Sequence, residues 1–195
     1  SPSTVTSGTE TGSQGSPSEE DIRAEQAKQE AARQVAASAI NATTGKAINV
    51  NANAVYVNKD NSAAYNNEGI DNYAQFGVSV DFTVPEGQSP KAGDTTTFQL
   101  SDSLRIQKSD NFDIKDGDQV VAKASIDAAN RTVTLTYTNY VEQRSDIKGK
   151  FWLSLQVNSD KETEAKQLST SIKVNNTSDL AIAGSINYTG ITKDS

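Results

Sequence analysis

The stretch Phe76–Val84 reads FGVSVDFTV, with apolar side chains at every second position. Successive side chains of a β-strand point to opposite faces, so this alternation predicts a strand with one buried face. The alternation continues through the rest of the chain, in Phe98–Leu100, Val120–Ile126, Val133–Tyr137, Phe151–Val157, Ile172–Val174 and Ile186–Tyr188. Together these patterns predict about nine short strands.

Turn-forming residues separate these segments. Pro85–Gly87, Lys91–Asp94 and Lys115–Asp118 each contain a glycine next to an acidic or basic residue. Glycine, proline and aspartate favour the tight reversals that join neighbouring strands. Short strands in close succession are typical of an antiparallel sandwich, whereas strands alternating with helices indicate a parallel sheet. We therefore predict a mostly β fold, an antiparallel β-sandwich over residues 41–190.

The first forty residues have a different character. Residues 1–16 are rich in Ser, Thr and Gly and almost lack apolar side chains, which predicts a disordered leader. Ser16, Pro17 and Glu19 form a helix-start signal, so we expect an α-helix over residues 17–40. Its apolar stripe is narrow and mostly alanine, which indicates an amphipathic helix that packs weakly. Residues 191–195 are predicted to be a linker to a following domain.

The composition excludes most enzymatic chemistry. The chain has 195 residues, no Cys and no His, so thiol nucleophiles, imidazole bases and zinc–thiolate sites are all absent. We therefore predict a non-enzymatic protein without a cofactor or a bound metal. The net charge of -7 would repel nucleic acid. No apolar run approaches the roughly 20 residues of a membrane helix, so membrane insertion is not expected.

A more specific signal lies between Asn111 and Phe151. The segment Thr132–Glu142 reads TVTLTYTNYVE, and Ser145–Phe151 reads SDIKGKF. In this order, after the acidic stretch that begins at Asn111, these segments resemble the first immunoglobulin-like domain of the ligand-binding region in MSCRAMM adhesins. These are cell-wall-anchored proteins of Gram-positive bacteria, with collagen-binding and fibrinogen-binding members. The segments Ala92–Leu100 and Tyr188–Gly190 resemble flanking strands of the same domain.

The resemblance implies an immunoglobulin-like sandwich with Greek-key connections, located outside the cell on a bacterial surface and anchored through a region beyond this sequence. It implies an adhesin domain that contributes to binding a host matrix or plasma protein of the collagen or fibrinogen class. Family members usually hold such ligands on or between two domains, so a following domain of the same chain is an expected partner. Two alternatives stay open at this point: a structural stalk or spacer, and a module that binds a host glycan.

A polar loop between residues 58 and 73 is the candidate binding site. It contains Tyr65, Asn66, Asn67 and Tyr73 among several acidic residues. Tyrosine and asparagine combine contact area with hydrogen bonding at a low cost in conformational entropy, and they are therefore common in recognition loops. The alternative is a flexible polar loop without a ligand.

Four acidic residues are grouped at Asp110, Asp113, Asp116 and Asp118. Oxygen-rich turns of this kind sometimes bind Ca²⁺. Here the glycine-centred loop with a closing glutamate is missing, and Lys115 lies among the acids. A polar hairpin turn is therefore the favoured interpretation.

Domains of the MSCRAMM family often carry a self-formed isopeptide bond between a lysine and an asparagine, promoted by a buried carboxylate. The resemblance therefore raises the question of which residues of this chain could form one. All three side chains must face the core, where a desolvated lysine is neutral and nucleophilic. By strand parity, Lys46, Asp102 and Asn176 are the only combination that we consider.

Overall fold

The computed structural model describes residues 22–28 and 45–192. Residues 22–28 are helical, inside the helix predicted for residues 17–40. The predicted leader, the rest of that helix and residues 193–195 of the predicted linker lie outside the described residues. Within the described residues, no helix has the length and apolar character that crossing a membrane requires.

Thirteen strands and one 3₁₀ helix build residues 45–192. The strands are β1 (Asn51–Val57), β2 (Ile70–Asp71), β3 (Phe76–Thr83), β4 (Thr95–Leu100), β5 (Leu104–Ile106), β6 (Asp110–Asp116), β7 (Gln119–Asp127), β8 (Thr132–Tyr137), β9 (Lys148–Val157), β10 (Lys166–Leu168), β11 (Ser171–Val174), β12 (Ser178–Ala183) and β13 (Ile186–Gly190). Every alternating segment of the sequence corresponds to one of these strands. Of the additional strands, β2, β5 and β10 have only two or three residues, whereas β1, β6 and β12 have six or seven.

Ten of the strands form one curled sheet in the order β5-β9-β3-β1-β12-β11-β4-β8-β7-β6. Neighbours in this sheet are antiparallel except at the pair β1–β12, which is parallel. This pair is the corner at which the sheet turns and folds back on itself. The smaller sheet, β10-β13-β2, lies at one end of the body.

The two halves of the curled sheet pack face to face over an aromatic core. Phe98 of β4 contacts Phe151 of β9 edge to face, with ring centroids 5.2 Å apart. Phe82 of β3 lies 6.2 Å from Phe98 on the same interior. Because strand side chains alternate, the inward residues of both halves meet in one continuous apolar layer. The predicted mostly β sandwich is confirmed.

A buried hydroxyl pair ties the corner to the core. Thr96 of β4 is fully buried; its hydroxyl donates to the Ile48 carbonyl at 2.7 Å and lies 2.7 Å from the Tyr137 hydroxyl. Burial raises the pKa of Tyr137 to about 12. The pair links β4, β8 and the segment that leads into β1, so three parts of the sheet depend on it.

The chain crosses between the two halves through the 3₁₀ helix Asn139–Gln143. Val141 within it is 1% exposed, so this side chain anchors the crossover in the core. The neighbouring Tyr140 is only partly buried: its hydroxyl donates to Asp116 Oδ2 at 2.7 Å, and Arg144 covers its ring. Tyr140 therefore fastens the crossover to the end of β6.

The chain enters and leaves the sandwich at opposite ends. The Lys46 N–H donates to Asp94 Oδ1 at 2.9 Å, at the end where β1 begins. The Thr192 N–H donates to Asn72 Oδ1 at 2.8 Å, at the end where β3 begins. Since β1 and β3 are antiparallel, these two ends are separated by the length of β3. Eight residues of strand span about 27 Å.

Candidate functional site

The predicted binding loop is held in place by hydrogen bonds within the loop and to Asn187 of β13. The Tyr65 hydroxyl donates to the Glu68 carbonyl and accepts from the Asn187 N–H at 2.9 Å. Asn66 Oδ1 accepts from the Glu68 N–H at 3.2 Å, and the Asn67 carbonyl accepts from the Asn187 side chain. The Tyr65 hydroxyl thus fixes the loop to β13, and its role in ligand binding stays a prediction.

Tyr73 is 62% exposed, and Asn66 and Asn67 are exposed as well, whereas Tyr65 is half-buried. Tyr73 lies at the end where the chain leaves the sandwich. Asp71 organises this end: its Oδ1 accepts from the N–H groups of Tyr73 and Ala74, both at 2.9 Å. Its Oδ2 accepts from the Thr192 hydroxyl, and this bond lowers the pKa of Asp71. The departing chain is therefore fastened directly beside an exposed tyrosine.

The isopeptide residues predicted from strand parity are not brought together. Lys46, Asp102 and Asn176 are all exposed, whereas the chemistry requires burial. Lys46 lies beside the first residue of β4, and Asp102 follows its last residue; six strand residues span roughly 20 Å. Asp102 bonds Lys161, which lowers the pKa of Asp102. The parity argument is wrong here because β4 ends at Leu100, before it reaches Asp102.

The four grouped aspartates lie on a hairpin, as the favoured interpretation held. Asp110, Asp113 and Asp116 belong to β6, and Asp118 lies in the turn to β7. The Asp116 carboxylate accepts a hydrogen bond from the Tyr140 hydroxyl. Among the described residues, no group of three or more acidic side chains is placed to hold a metal ion.

A groove that the sequence did not predict separates the two edges of the curled sheet. It has a volume of about 570 Å³. Its apolar lining comes from both sides, and Phe112 of β6 lies 6.3 Å from Phe151 of β9 between ring centroids. The other lining residues are Ile106, Gln107, Lys108, Asp110, Ile126, Lys150, Trp152, Leu153 and Ser154. The groove is a largely apolar channel with charged residues at its rim.

One wall of this groove is a strand edge with open backbone groups. Strand β9 pairs with β3 along Lys148–Leu155, but on its other side it pairs with β5 only at Leu155–Val157. The edge of Lys148–Ser154 facing the groove therefore has no strand partner in the described chain. The outer edge of β6 is likewise unpaired among the described strands. Unpaired N–H and C=O groups of this kind can accept another extended segment.

Sequence comparison identifies relatives of this chain. A profile of the family described as "Bacterial Ig domain" matches residues 69–167, just over half of the 195 residues. Serine-aspartate repeat-containing protein E of Staphylococcus aureus is 30% identical over 120 residues, 58% of this chain. Clumping factor B of the same species is 34% identical over 89 residues, 40% of this chain. The match spans about 10% of the length of each relative.

Comparison of structures supports the fold. A serine-rich repeat protein (Srr2) of Streptococcus agalactiae superimposes with a TM-score of 0.50 at 18% identity. The match covers 72% of this chain and 44% of that chain. With the profile match and the staphylococcal relatives, the chain belongs to the bacterial immunoglobulin-like domain family, and its resemblance to the MSCRAMM adhesins is confirmed.

Proposed function

We propose that the chain is a non-catalytic adhesin domain on a bacterial surface, and that it binds an extended segment of a host matrix or plasma protein of the collagen or fibrinogen class. The observation that carries this proposal is the apolar groove between the edges of β9 and β6. An extended peptide that binds as an added strand uses both backbone partners and side-chain pockets, and this groove offers both.

The backbone of β9 supplies the affinity in this proposal. The open edge of Lys148–Ser154 runs for seven residues, about 23 Å, and can pair with an added strand. Alternate side chains of that strand would face the apolar lining around Phe112 and Phe151. Main-chain hydrogen bonds tolerate many sequences, so the specificity for one host protein comes from the fit of these side chains.

The end at which the chain leaves the sandwich is the expected contact with a second domain. Tyr73 and Ile191 are 62% and 37% exposed there. Thr192 is bonded to Asp71 and Asn72, so the direction of the departing chain is fixed. An exposed aromatic ring next to a fixed linker favours a packed neighbour that extends the ligand site. Cell-wall anchoring through another region of the parent protein belongs to the same proposal.

A spacer role is the second candidate, and one observation favours it. The chain enters beside Lys46 and leaves at Thr192, at opposite ends of the sandwich. A domain with this geometry adds its full length when it is inserted in series between neighbours. In this case the groove has no ligand, and the domain only holds a binding module of the parent protein further from the cell surface.

Surface plasmon resonance on immobilised fibrinogen and collagen separates the two candidates. The analytes are the chain alone and the chain continued by the domain that follows it in the parent protein. Both analytes are tested with the variants Ile126→Lys and Ser154→Arg, each of which places a long cationic side chain in the groove. The control variant Thr136→Lys adds the same charge to the exposed face of β8. Thermal melts verify that all the variants fold.

The adhesin proposal predicts binding to one of the two host proteins, weakened about tenfold or more by either groove variant and unaffected by Thr136→Lys. Stronger binding by the two-domain form would support the role of the neighbour. Failure of both forms to bind either protein, or equal binding by wild type and groove variants, would refute the proposal and favour the spacer.

A further inference from the structure

The outer face of the sheet carries a second surface, which shares Lys150 and Trp152 with the rim of the apolar groove. Here the outward side chains of β1, β3 and β9 stand in cross-strand rows. The rows are Asn51–Thr83–Lys148, Asn53–Asp81–Lys150 and Val55–Ser79–Trp152. Amide, ammonium and carboxylate groups and one indole are therefore adjacent on one face of the sheet.

Trp152 is exposed although it is the largest side chain on this face. It is 38% exposed; its cross-strand partner is Ser79, and Gly77, on the same strand as Ser79, is its diagonal neighbour. A Cβ atom at Gly77 would lie 3.3 Å from the indole, so the ring rests against the glycine backbone. Small neighbours leave the indole uncovered, and a flat aromatic surface is open to a ligand.

A groove of about 450 Å³ lies beside β9 and reaches Lys150, two residues before Trp152. Three lysines line it: Lys115 from β6, and Lys148 and Lys150 from β9. Two aspartates also line it, but each has a partner. Asp81 lies 3.9 Å from Lys150, and Asp116 accepts from the Tyr140 hydroxyl. Lysines outnumber acids in this groove, whereas the whole chain has 18 basic and 25 acidic residues.

The spacing along β9 suits a repeating ligand. Residues two apart on the same face of a strand are separated by about 6.6 Å, so Lys148, Lys150 and Trp152 form a line about 13 Å long. A sugar ring is wide enough to cover an indole, and its charged substituents extend to neighbouring positions. The electron-rich face of the indole attracts the polarised C–H groups of a pyranose. Asparagine amides and lysine ammonium groups bind hydroxyl, sulfate and carboxylate oxygens.

We propose that this face binds an anionic saccharide, with one sugar ring stacked on Trp152 and its sulfate or carboxylate groups at Lys148, Lys150 and Lys115. Charge complementarity selects an anionic ligand on a protein that is acidic overall. The exposed indole and the adjacent asparagines select a saccharide over an acidic peptide, because an acidic peptide uses the lysines alone. The two sites share Lys150 and Trp152, but this inference uses neither the open backbone edge of β9 nor the apolar side chains of Phe112 and Ile126.

The chain offers a direct readout, because Trp152 is its single tryptophan. Intrinsic fluorescence is titrated with a heparin-derived hexasaccharide, the same hexasaccharide after desulfation, and a glutamate hexapeptide. We expect a saturable fluorescence change with the sulfated saccharide that weakens as salt rises, because exposed charge pairs are screened. The desulfated saccharide and the peptide should bind at least about fivefold more weakly.

Variants locate the site. Lys148→Gln with Lys150→Gln should weaken binding about fivefold, whereas Lys173→Gln, a cation on β11, should leave it unchanged. Trp152→Ala, followed by calorimetry, should abolish binding while the circular dichroism spectrum is retained. Several outcomes would overturn the proposal: no fluorescence change, equal binding of the peptide, an equal loss with Lys173→Gln, or unchanged binding by Trp152→Ala. The groove variant Ile126→Lys should retain saccharide binding, which separates this test from that of the adhesin proposal.

Discussion

The buried hydroxyl pair of Thr96 and Tyr137 predicts an unequal response to two substitutions. In Thr96→Val the Tyr137 hydroxyl stays buried but loses its hydrogen-bond partner. In Tyr137→Phe the Thr96 hydroxyl still donates to the Ile48 carbonyl. The first change leaves a polar group unsatisfied, and the second removes one neutral hydrogen bond.

The magnitudes follow from this difference. Leaving a buried hydroxyl without a partner costs about 2 kcal/mol, whereas losing one neutral hydrogen bond costs about 1 kcal/mol. The Ile48 carbonyl keeps a second donor, the Asn175 side chain at 2.8 Å, so it is not orphaned in either variant. In the double variant both hydroxyls are gone. We therefore expect it to be less destabilised than Thr96→Val alone.

Urea unfolding at pH 7, followed by circular dichroism, measures the free energy of unfolding of the wild type, the two single variants and the double variant. The expected order of the free energy of unfolding is wild type, Tyr137→Phe, double variant and Thr96→Val, from most to least stable. A coupling energy of about 1 kcal/mol or more identifies the interaction between the pair. Additive losses would show that the hydroxyls do not depend on each other and would refute this reasoning. Equal losses from the two single variants would refute the expected asymmetry.

Three further predictions concern stability. Because the pKa of Tyr137 is raised to about 12, its contribution to the free energy of unfolding is fully present below pH 10 and is lost as the pH rises towards about 12. The urea midpoint of Tyr137→Phe should therefore fall less than that of the wild type over this pH range. Hydrogen bonds from Lys166 and Ser103 lower the pKa of the Glu162 carboxyl, so Glu162→Gln should cost about 1.5 kcal/mol at pH 7. The loss of stability in Glu162→Gln relative to the wild type should become smaller as the pH falls below 4.5, and an unchanged loss at pH 3 would contradict this prediction. Gly149→Ala should cost about 2 kcal/mol in thermal melts, because its Cβ would lie 2.6 Å from the Phe82 ring, and an unchanged midpoint would show that the ring moves freely.

Local pattern predicts the central strands of this fold well. The stretch Phe76–Val84 alternates strictly, and the strand found there runs from Phe76 to Thr83. Strand β1 escaped prediction because its first half reads Asn51-Ala52-Asn53-Ala54, in which alanine gives a weak apolar signal. Its position is set by pairing with β3 and β12, and a sequence window does not contain that information.

The candidate sites depend even more on long-range contacts. The partner of Tyr65 is Asn187, 122 residues away, so its exposure could not be judged from the loop alone. The groove exists because β6 and β9 lie near the two ends of the sheet order, and no local motif records that order. Trp152 carried a detectable signal, since it occupies an outward position between the inward Phe151 and Leu153. Parity alone would have flagged it as an exposed aromatic.

Gly45 and Thr192, the two ends of the stretch 45–192, lie at opposite ends of the sandwich, and this placement has a mechanical consequence. A pull applied through Gly45 and Thr192 acts along the strands instead of across them. Near one end the load reaches the parallel bridge of Ala47 to Thr95, and near the other it reaches the parallel pair of β13 with β2. A force in this direction strains the hydrogen bonds between the two paired segments at the same time, instead of breaking them one after another. Rupture under flow is then governed by the rate of forced unfolding, and not by the equilibrium stability of the domain.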